Sequence, residues 1–295
     1  MKVRIGVGTG TMVSSGDELG RLVEDLEARR FDSLWLSDVL TMPGDDPLTG
    51  LAFAAGRVKK LKIGTTMVLP GRNPVRLAKQ IATLDQLSGG RLLVTFVLGL
   101  RIGAEPAAMG VPPAERGRQV DELLPLLRRL WTEDDVDHDG PMWKLNGVSV
   151  LPKPAQKPFD VWLGGSVPSA LRRVGTLSDG WLPALCTPAE AEAGRRVIEE
   201  TASAAGRRID PEHFGVSIGY AREAIPEPLA RRLVQRVPSG DLASVVPQSL
   251  DELRRAIGRY LEVGFSKFVV RPVVPPASWE RELDDLARAV LDLQT

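Results

Sequence analysis

The sequence lacks the features that mark several large protein classes. Cys186 is the one cysteine in 295 residues, so an intramolecular disulfide cannot form, which is typical of a reducing cytoplasm. Neither sign of charge is in excess, because 38 lysines and arginines balance 38 aspartates and glutamates. A neutral chain has no bulk electrostatic attraction for nucleic acid or an anionic membrane. We therefore expect a cytoplasmic protein that binds neither.

Long apolar runs are missing as well. No stretch approaches the roughly 18 consecutive apolar residues that span a bilayer. The opening segment, Met1 to Ile5, has neither the apolar run nor the small-residue cleavage site of a signal peptide. These absences predict a protein that does not enter a membrane.

Side chains for hydrolytic chemistry are scarce. The two histidines, His138 and His213, are far apart, and no cysteine–histidine cluster has metal-ligand spacing. The Gly-x-Ser-x-Gly elbow of serine hydrolases does not occur. We expect neither a serine triad nor metal ligands, and a bound cofactor becomes the better source of chemistry.

What the sequence does contain is an alternation of short apolar segments with longer helical ones. Short runs rich in valine, isoleucine, leucine and phenylalanine are typical of strands buried on both faces of a parallel sheet. They are Val3–Val7, Ser33–Leu36, Lys62–Leu69, Arg91–Leu98, Asp160–Leu163, Gly180–Pro183, Phe214–Tyr220 and Lys267–Arg271. Eight such strands predict an α/β fold, a single (β/α)8 TIM barrel domain over residues 1–295.

Helix starts are marked by capping sequences. Three stretches fit the capping box, in which a Ser or Thr side chain and a Glu three residues later satisfy free amides. They begin at Ser15, Thr187 and Ser249. Asp46 and Asn73 each precede a proline at the first helical position.

Two segments are too long for plain connections. Leu100 to Pro158 follows the fourth strand and holds a helix, Glu115–Trp131, and a hairpin, Val136–Leu151. Ala224 to Gln248 follows the seventh strand. Both insertions follow strands, so we expect both at the C-terminal face, where barrel active sites lie.

Glycines after the first strand leave one alternative open. Gly6, Gly8 and Gly10 resemble part of a dinucleotide fingerprint, and Asp38 ends the second strand, where such folds carry a ribose-binding acid. The spacing of the third glycine does not fit that fingerprint. The other interpretation is that the glycines let the strand bend as it opens into a barrel mouth.

Several segments together resemble one family. The run KIGTTMVLPGRNPVRLAKQIATLDQLSGGR at residues 62–91 resembles the luciferase-like monooxygenases, which include deazaflavin (coenzyme F-420)-dependent oxidoreductases. Weaker similarities are FDSLWLSD at 31–38, MGVPPAERG at 109–117, LPKPAQKP at 151–158, VWLGGS at 161–166, SDGWLP at 178–183 and FVVRP at 268–272. The resemblance extends over nearly the whole chain.

The resemblance implies a flavin or deazaflavin at the strand ends. It places a non-proline cis peptide at Thr66–Met67 behind the cofactor ring, where an ordinary buried strand is the alternative. Such a bond costs about 3–4 kcal/mol. It also places Leu98 and Gly99 at the cofactor edge, and Asp38 against the ring as the candidate catalytic residue.

The turn after the fifth strand is the candidate phosphate site. Gly164 and Gly165 lead through Ser166 into a helix over Pro168 to Ser178. Free amides at a helix N-terminus suit a phosphate, and glycine allows close approach. The resemblance adds Ser166 and Ser169 as donors, and a plain tight turn is the alternative.

Three positions are candidates for substrate contact. Val39 stands where many deazaflavin enzymes have a histidine. Arg101 and Arg271 follow or end strands and could contact an anionic substrate or the cofactor tail, although surface ion pairs are a common role for arginine.

We therefore predict an oxidoreductase that moves a hydride between coenzyme F-420 and a small organic substrate. The first alternative is an FMN-dependent monooxygenase that uses oxygen and reduced flavin from a partner reductase. The second is a non-catalytic flavin-binding paralogue, which Val39 and Leu98 motivate. A barrel lyase without cofactor has little support. The resemblance further implies a homodimer through the helices Pro47–Val58 and Pro74–Leu87.

Overall fold

A computed structural model describes residues 1–10, 15–237 and 239–295. Its strands are β1 (Arg4–Gly8), β2 (Ser33–Ser37), β3 (Lys62–Val68), β4 (Leu92–Val97), β5 (Val136–Asp139), β6 (Lys144–Val148), β7 (Val161–Leu163), β8 (Gly180–Trp181), β9 (Gly215–Tyr220) and β10 (Lys267–Pro272). Its helices are α1 (Gly16–Ala28), α2 (Pro47–Arg57), α3 (Pro74–Ser88), α4 (Glu105–Met109), α5 (Pro113–Thr132), α6 (Pro168–Leu177), α7 (Pro188–Ala204), α8 (Glu227–Val234), α9 (Leu250–Glu262) and α10 (Trp279–Val290).

Eight parallel strands form a ring. Their order is β8-β7-β4-β3-β2-β1-β10-β9, and the bridges Trp181–Phe214 and Ala184–Ser217 join β8 to β9. The predicted (β/α)8 barrel is confirmed, and the open dinucleotide-binding sheet is wrong. The early glycines serve the barrel, because Gly6 and Gly8 lie on the inward face of β1.

Both predicted insertions are present. The segment between β4 and β7 holds α4, α5 and the antiparallel hairpin β5–β6. The segment between β9 and α9 holds α8 and a short 3-10 turn, Leu242–Ser244. Among the described residues, no helix has the length and apolarity that a bilayer crossing needs.

Capping largely follows the sequence prediction. Ser15 and Thr187 form complete capping boxes at α1 and α7. At α9, the Ser249 hydroxyl accepts from the Glu252 amide at 3.2 Å. The Glu252 carboxylate accepts from the Gln248 amide at 2.7 Å, one residue before the expected donor. Local hydrogen bonding therefore fixes where these helices begin.

Two indoles close the barrel across its middle. A Cβ added at Gly64 would lie 2.5 Å from ring atoms of Trp35, and one added at Gly180 would lie 2.4 Å from the ring of Trp162. The absence of a side chain at Gly64 leaves room for the Trp35 ring, and its absence at Gly180 leaves room for the Trp162 ring. The same inner cluster contains Leu93, Leu182 and Val269. The C-terminal mouth is consequently a cup with a packed floor.

Gly64→Ala should destabilise the protein by about 1–3 kcal/mol, because the new methyl overpacks the floor against Trp35. Urea unfolding measures this change. Gly56→Ala is the matched control. Gly56 lies in α2 with open space around its Cα, so the same substitution should stabilise by about 0.5–1 kcal/mol. Equal effects at the two positions would contradict the proposed packing of the floor.

Candidate active site at the C-terminal mouth

A cavity of about 180 Å³ lies at the N-terminal end of the strands, away from the C-terminal mouth. Arg4, Lys62 and Lys267 line it at the starts of their strands, and Trp35 and Trp162 form its inner wall. In (β/α)8 barrels the reactive groups sit at the C-terminal strand ends. The candidate active site therefore lies on the opposite side of the two indoles.

Asp38 is held firmly at the rim of this mouth. Its side chain is 5% exposed and its Oδ2 accepts from Arg72 Nη2 at 2.6 Å. The same oxygen accepts from the Val68 amide at 3.0 Å, and the Asp38 amide donates to the Thr66 carbonyl at 2.8 Å. Asp38 thus ties the ends of β2 and β3 together.

Glu105 ties a third loop to the same rim. It is buried on α4, and its carboxylate accepts from the Leu40 amide at 2.9 Å and the Thr41 amide at 3.0 Å. The Thr41 hydroxyl donates to it at 2.7 Å. Sequence reasoning missed Glu105 because no local pattern pairs the loops after β2 and β4.

The predicted cis peptide at Thr66–Met67 is wrong. Cis bonds occur in the described chain only before prolines, at Leu151–Pro152 and Lys157–Pro158. β3 pairs with β2 as far as Thr66, which lies opposite Ser37, and with β4 through Thr66, Met67 and Val68. Regular parallel pairing with β4 keeps the chain extended across this bond.

Alternation along β3 separates the two residues. The half-buried Thr66 shares the inward face with Gly64 and Val68. Met67 is fully buried in the core between sheet and helices, so its side chain does not line the mouth. A cofactor in the mouth would therefore meet Thr66, Val68 and only the backbone of Met67.

The wall at β4 differs from the sequence expectation. Leu98 packs against the outer core instead of narrowing the mouth. Gly99 has φ +80°, and a Cβ there would lie 2.1 Å from Met109 Cε. Met109 packs with Val68 and Val97 into a small apolar cluster. Met109 is thus a wall residue that the sequence pattern did not reveal.

Arg116 fixes the chain that follows β4. Its Nη1 donates to the carbonyls of Leu98 at 3.3 Å and Leu100 at 2.8 Å, and its Nε donates to Val111 at 3.1 Å. Its Nη2 is buried without a hydrogen-bond partner among the described residues. Burial lowers the pKa of Arg116, with a smaller contribution from Arg101. The resemblance segment at 109–117 contained this arginine, but no role was predicted for it.

The turn from β7 to α6 has the features expected of a phosphate site. Gly165 has φ +96°, a backbone conformation that side chains rarely adopt, and its carbonyl accepts from Trp181 Nε1 at 2.9 Å. Ser166 and Ser169 are exposed. No side chain caps α6, whose N-cap is Val167. Pro168 has no amide hydrogen and the Ala170 amide donates to the Val167 carbonyl at 2.8 Å, which leaves the Ser169 amide in the first turn of α6 for a ligand.

Gly164 sets the depth of the same turn. A Cβ there would lie 2.8 Å from Val97 Cγ1 and 3.3 Å from the Leu182 carbonyl oxygen. Its amide donates to the Phe96 carbonyl at 2.9 Å. The absence of a side chain lets β4 and β7 approach closely where the mouth opens.

The three predicted substrate positions lie in different environments. Val39 is half-buried next to the rim, and Arg101 is exposed after β4. Arg271 lies inside the mouth, because a Cβ at Gly8 would be 3.3 Å from its Cβ and one at Gly219 would be 3.8 Å from its Nη2. Arg271 is therefore the member of this set that reaches the interior.

Comparisons with known proteins identify the family of the chain. The sequence profile described as luciferase-like monooxygenase matches residues 1–255. An F-420-dependent glucose-6-phosphate dehydrogenase of Nakamurella multipartita is 26% identical over 309 residues, covering 90% of both chains. A Mycobacterium tuberculosis protein is 30% identical over 190 residues, which is 63% of this chain and 64% of that relative's length.

Solved structures support the fold. An F-420-dependent secondary alcohol dehydrogenase in complex with an F-420–acetone adduct superposes with a TM-score of 0.84 at 20% identity, covering all of both chains. Relatives include both F-420-dependent oxidoreductases and FMN-dependent monooxygenases. With the barrel and a profile match over most of its length, the chain belongs to the luciferase-like monooxygenase family.

Proposed function

We propose that this protein is an F-420-dependent oxidoreductase that transfers a hydride between the deazaflavin and a small organic substrate. The turn at residues 164–166, leading into the uncapped helix α6, supports a coenzyme that carries a phosphate, and the 90% coverage of an F-420-dependent relative favours the deazaflavin. The turn offers two exposed hydroxyls and the Ser169 amide to a phosphate at the barrel mouth. The coenzyme, when bound, supplies the redox chemistry.

The chain would hold the phosphate end of the coenzyme at the β7–α6 turn. Ser166 and Ser169 are exposed there, and Gly164 and Gly165 have no side chains that would keep a phosphate away from the backbone. Backbone amides and hydroxyls can satisfy phosphate oxygens without a cation. This arrangement suits one phosphate group near the helix axis.

The chain would face the ring with an apolar wall and one hydroxyl. Val68, Val97 and Met109 form the wall between β3 and β4, and Thr66 projects beside it. An apolar wall excludes water from a transferring hydride. Asp38, because it is paired with Arg72, acts in this proposal as a positioning residue that keeps Thr66 and Val68 in place.

An FMN-dependent monooxygenase is the second candidate, because such enzymes are among the relatives. The β7–α6 turn would accept the phosphate of either coenzyme. A reductase that supplies reduced flavin would then be needed as a partner.

Titration of the purified protein with F-420 and with FMN separates the two candidates. We expect saturable quenching of F-420 fluorescence and at least tenfold weaker binding of FMN, a difference of about 1.4 kcal/mol. Tight FMN binding without F-420 binding would favour the monooxygenase. Binding of F-420 with neither reduction of the bound ring by a panel of alcohols nor reoxidation of the reduced ring by a panel of aldehydes and ketones would favour the non-catalytic paralogue.

A further inference from the structure

We propose that Arg236 and Arg271 form a binding site for the oxyanion of the substrate, a carboxylate or a phosphate, at the C-terminal mouth. The inference rests on the proposed function, because it names the class of substrate that the proposed oxidoreductase would bind. It assigns a role to Arg236, which no sequence pattern singled out.

Arg271 reaches into the barrel because two neighbouring strands leave room for it. It lies on the inward face of β10, between Gly8 of β1 and Gly219 of β9. The nearest atoms to added Cβ positions at these glycines include atoms of the Arg271 side chain, at 3.3 and 3.8 Å. The Arg271 side chain therefore packs over Gly8 and Gly219, near the C-terminal ends of β1 and β9.

Arg236 approaches from the insertion above. It follows α8 between two buried residues, Leu233 and Val237, which pack with Val273 beyond the end of β10. This packing holds the insertion over β9 and β10. Arg236 itself is exposed to solvent, yet it lies close enough to Arg271 for the two charges to repel.

Neither guanidinium is neutralised by the described protein. Burial lowers the pKa of Arg271 to about 10, with a further contribution from Arg236, and no acidic group offsets either effect. Desolvation also lowers the pKa of Arg236. By contrast, Arg72 and Arg222, elsewhere at this end of the barrel, contact carboxylates. Arg271, a desolvated cation with a second cation beside it and no counterion, is costly to keep charged, and a bound anion would relieve that cost.

The strand order favours the substrate as the source of the anion. In the ring of eight strands, β10 lies directly across from β4, where Val97 and Met109 form the coenzyme wall. The β7–α6 turn, which is proposed to bind the phosphate, is separated from β10 by β8 and β9. The arginine pair therefore faces the open side of the mouth, opposite the wall proposed to hold the ring.

The test measures anion binding and coenzyme binding separately. Inorganic phosphate and succinate are titrated calorimetrically, at low salt, into F-420-loaded wild type and into Arg271→Met and Arg236→Gln. Arg232→Gln on α8 is the control, because Arg232 is exposed one turn away. Arg271→Lys keeps the charge. F-420 affinity is measured by fluorescence for every variant.

We expect both anions to bind wild type and Arg232→Gln. Arg271→Met and Arg236→Gln should each bind them about ten- to hundredfold more weakly, with Arg271→Lys in between. F-420 affinity should change less than about twofold. Wild type that binds neither anion overturns the proposal, and so does an equally large loss of F-420 affinity, which would assign the pair to the coenzyme tail.

Failure of the proposed function gives a different result. In that case no variant, including wild type, quenches F-420 fluorescence, and the anion titrations are made on coenzyme-free protein. Anion binding that depends on Arg236 and Arg271 then supports the anion site alone. Anion binding that is unaffected by either substitution overturns it.

Discussion

Ser166→Asp should lower the affinity for coenzyme F-420 about a hundredfold without harming the fold. The substitution puts a carboxylate beside the uncapped N-terminus of α6, where the phosphate is proposed to bind. Ser166 is exposed, so the new charge is not buried. A negative charge near a helix N-terminus is favourable for stability. The affinity for F-420 should therefore fall while the free energy of unfolding does not.

Ser166→Asn is the matched control, because it has nearly the same shape as aspartate without the charge. It should retain most of the affinity, within about tenfold of wild type. Fluorescence titration of F-420 and urea unfolding of the three proteins give the comparison. If aspartate and asparagine weaken binding equally, the phosphate does not bind at this turn.

Asp38→Ala should lower the free energy of unfolding by about 2–3 kcal/mol. The substitution removes the acceptor of the Val68 amide and leaves the Arg72 guanidinium without its carboxylate. Buried pairs broken on one side cost more, but Arg72 is 25% exposed and solvent compensates part of the loss. Denaturant unfolding measures the change.

Two further variants test whether Asp38 acts by positioning its neighbours or takes part in the reaction. Asp25→Ala removes a more exposed pair with Arg29 at the C-cap of α1 and should cost less than about 1 kcal/mol, since Arg29 keeps its contact with Asp284. Asp38→Asn keeps an acceptor for Val68 and should keep most of the coenzyme affinity. A large loss of turnover in Asp38→Asn, with stability and coenzyme affinity retained, would instead make Asp38 a catalytic residue.

The fold could be predicted because its signals are local. Strand segments buried on both faces are uniformly apolar, and caps such as Ser15 and Asn73 satisfy amides within three residues. The turn at residues 164–166 could be located in the same way, since its glycines and the helix that follows are adjacent in sequence. Such features need no knowledge of what the rest of the chain does.

The lining of the site could not be predicted, because side-chain direction depends on register. Thr66 and Met67 are neighbours in sequence, yet one belongs to the inward face and the other to the outer core. Met109 covers Gly99 only because α4 folds back over β4. The predicted cis bond at Thr66–Met67 is absent for a related reason, because pairing with β4 keeps β3 extended across it.

The sequence by itself determined the barrel, the two insertions and the position of the β7–α6 turn. Tertiary structure alone decided which charges are paired and which are left free. Asp38 meets Arg72 across two strand ends, whereas Arg271 and Arg236 meet no acid among the described residues. The physical reason is that an ion pair depends on distance in space, and residues 34 or 35 positions apart acquire that distance only when the ring closes.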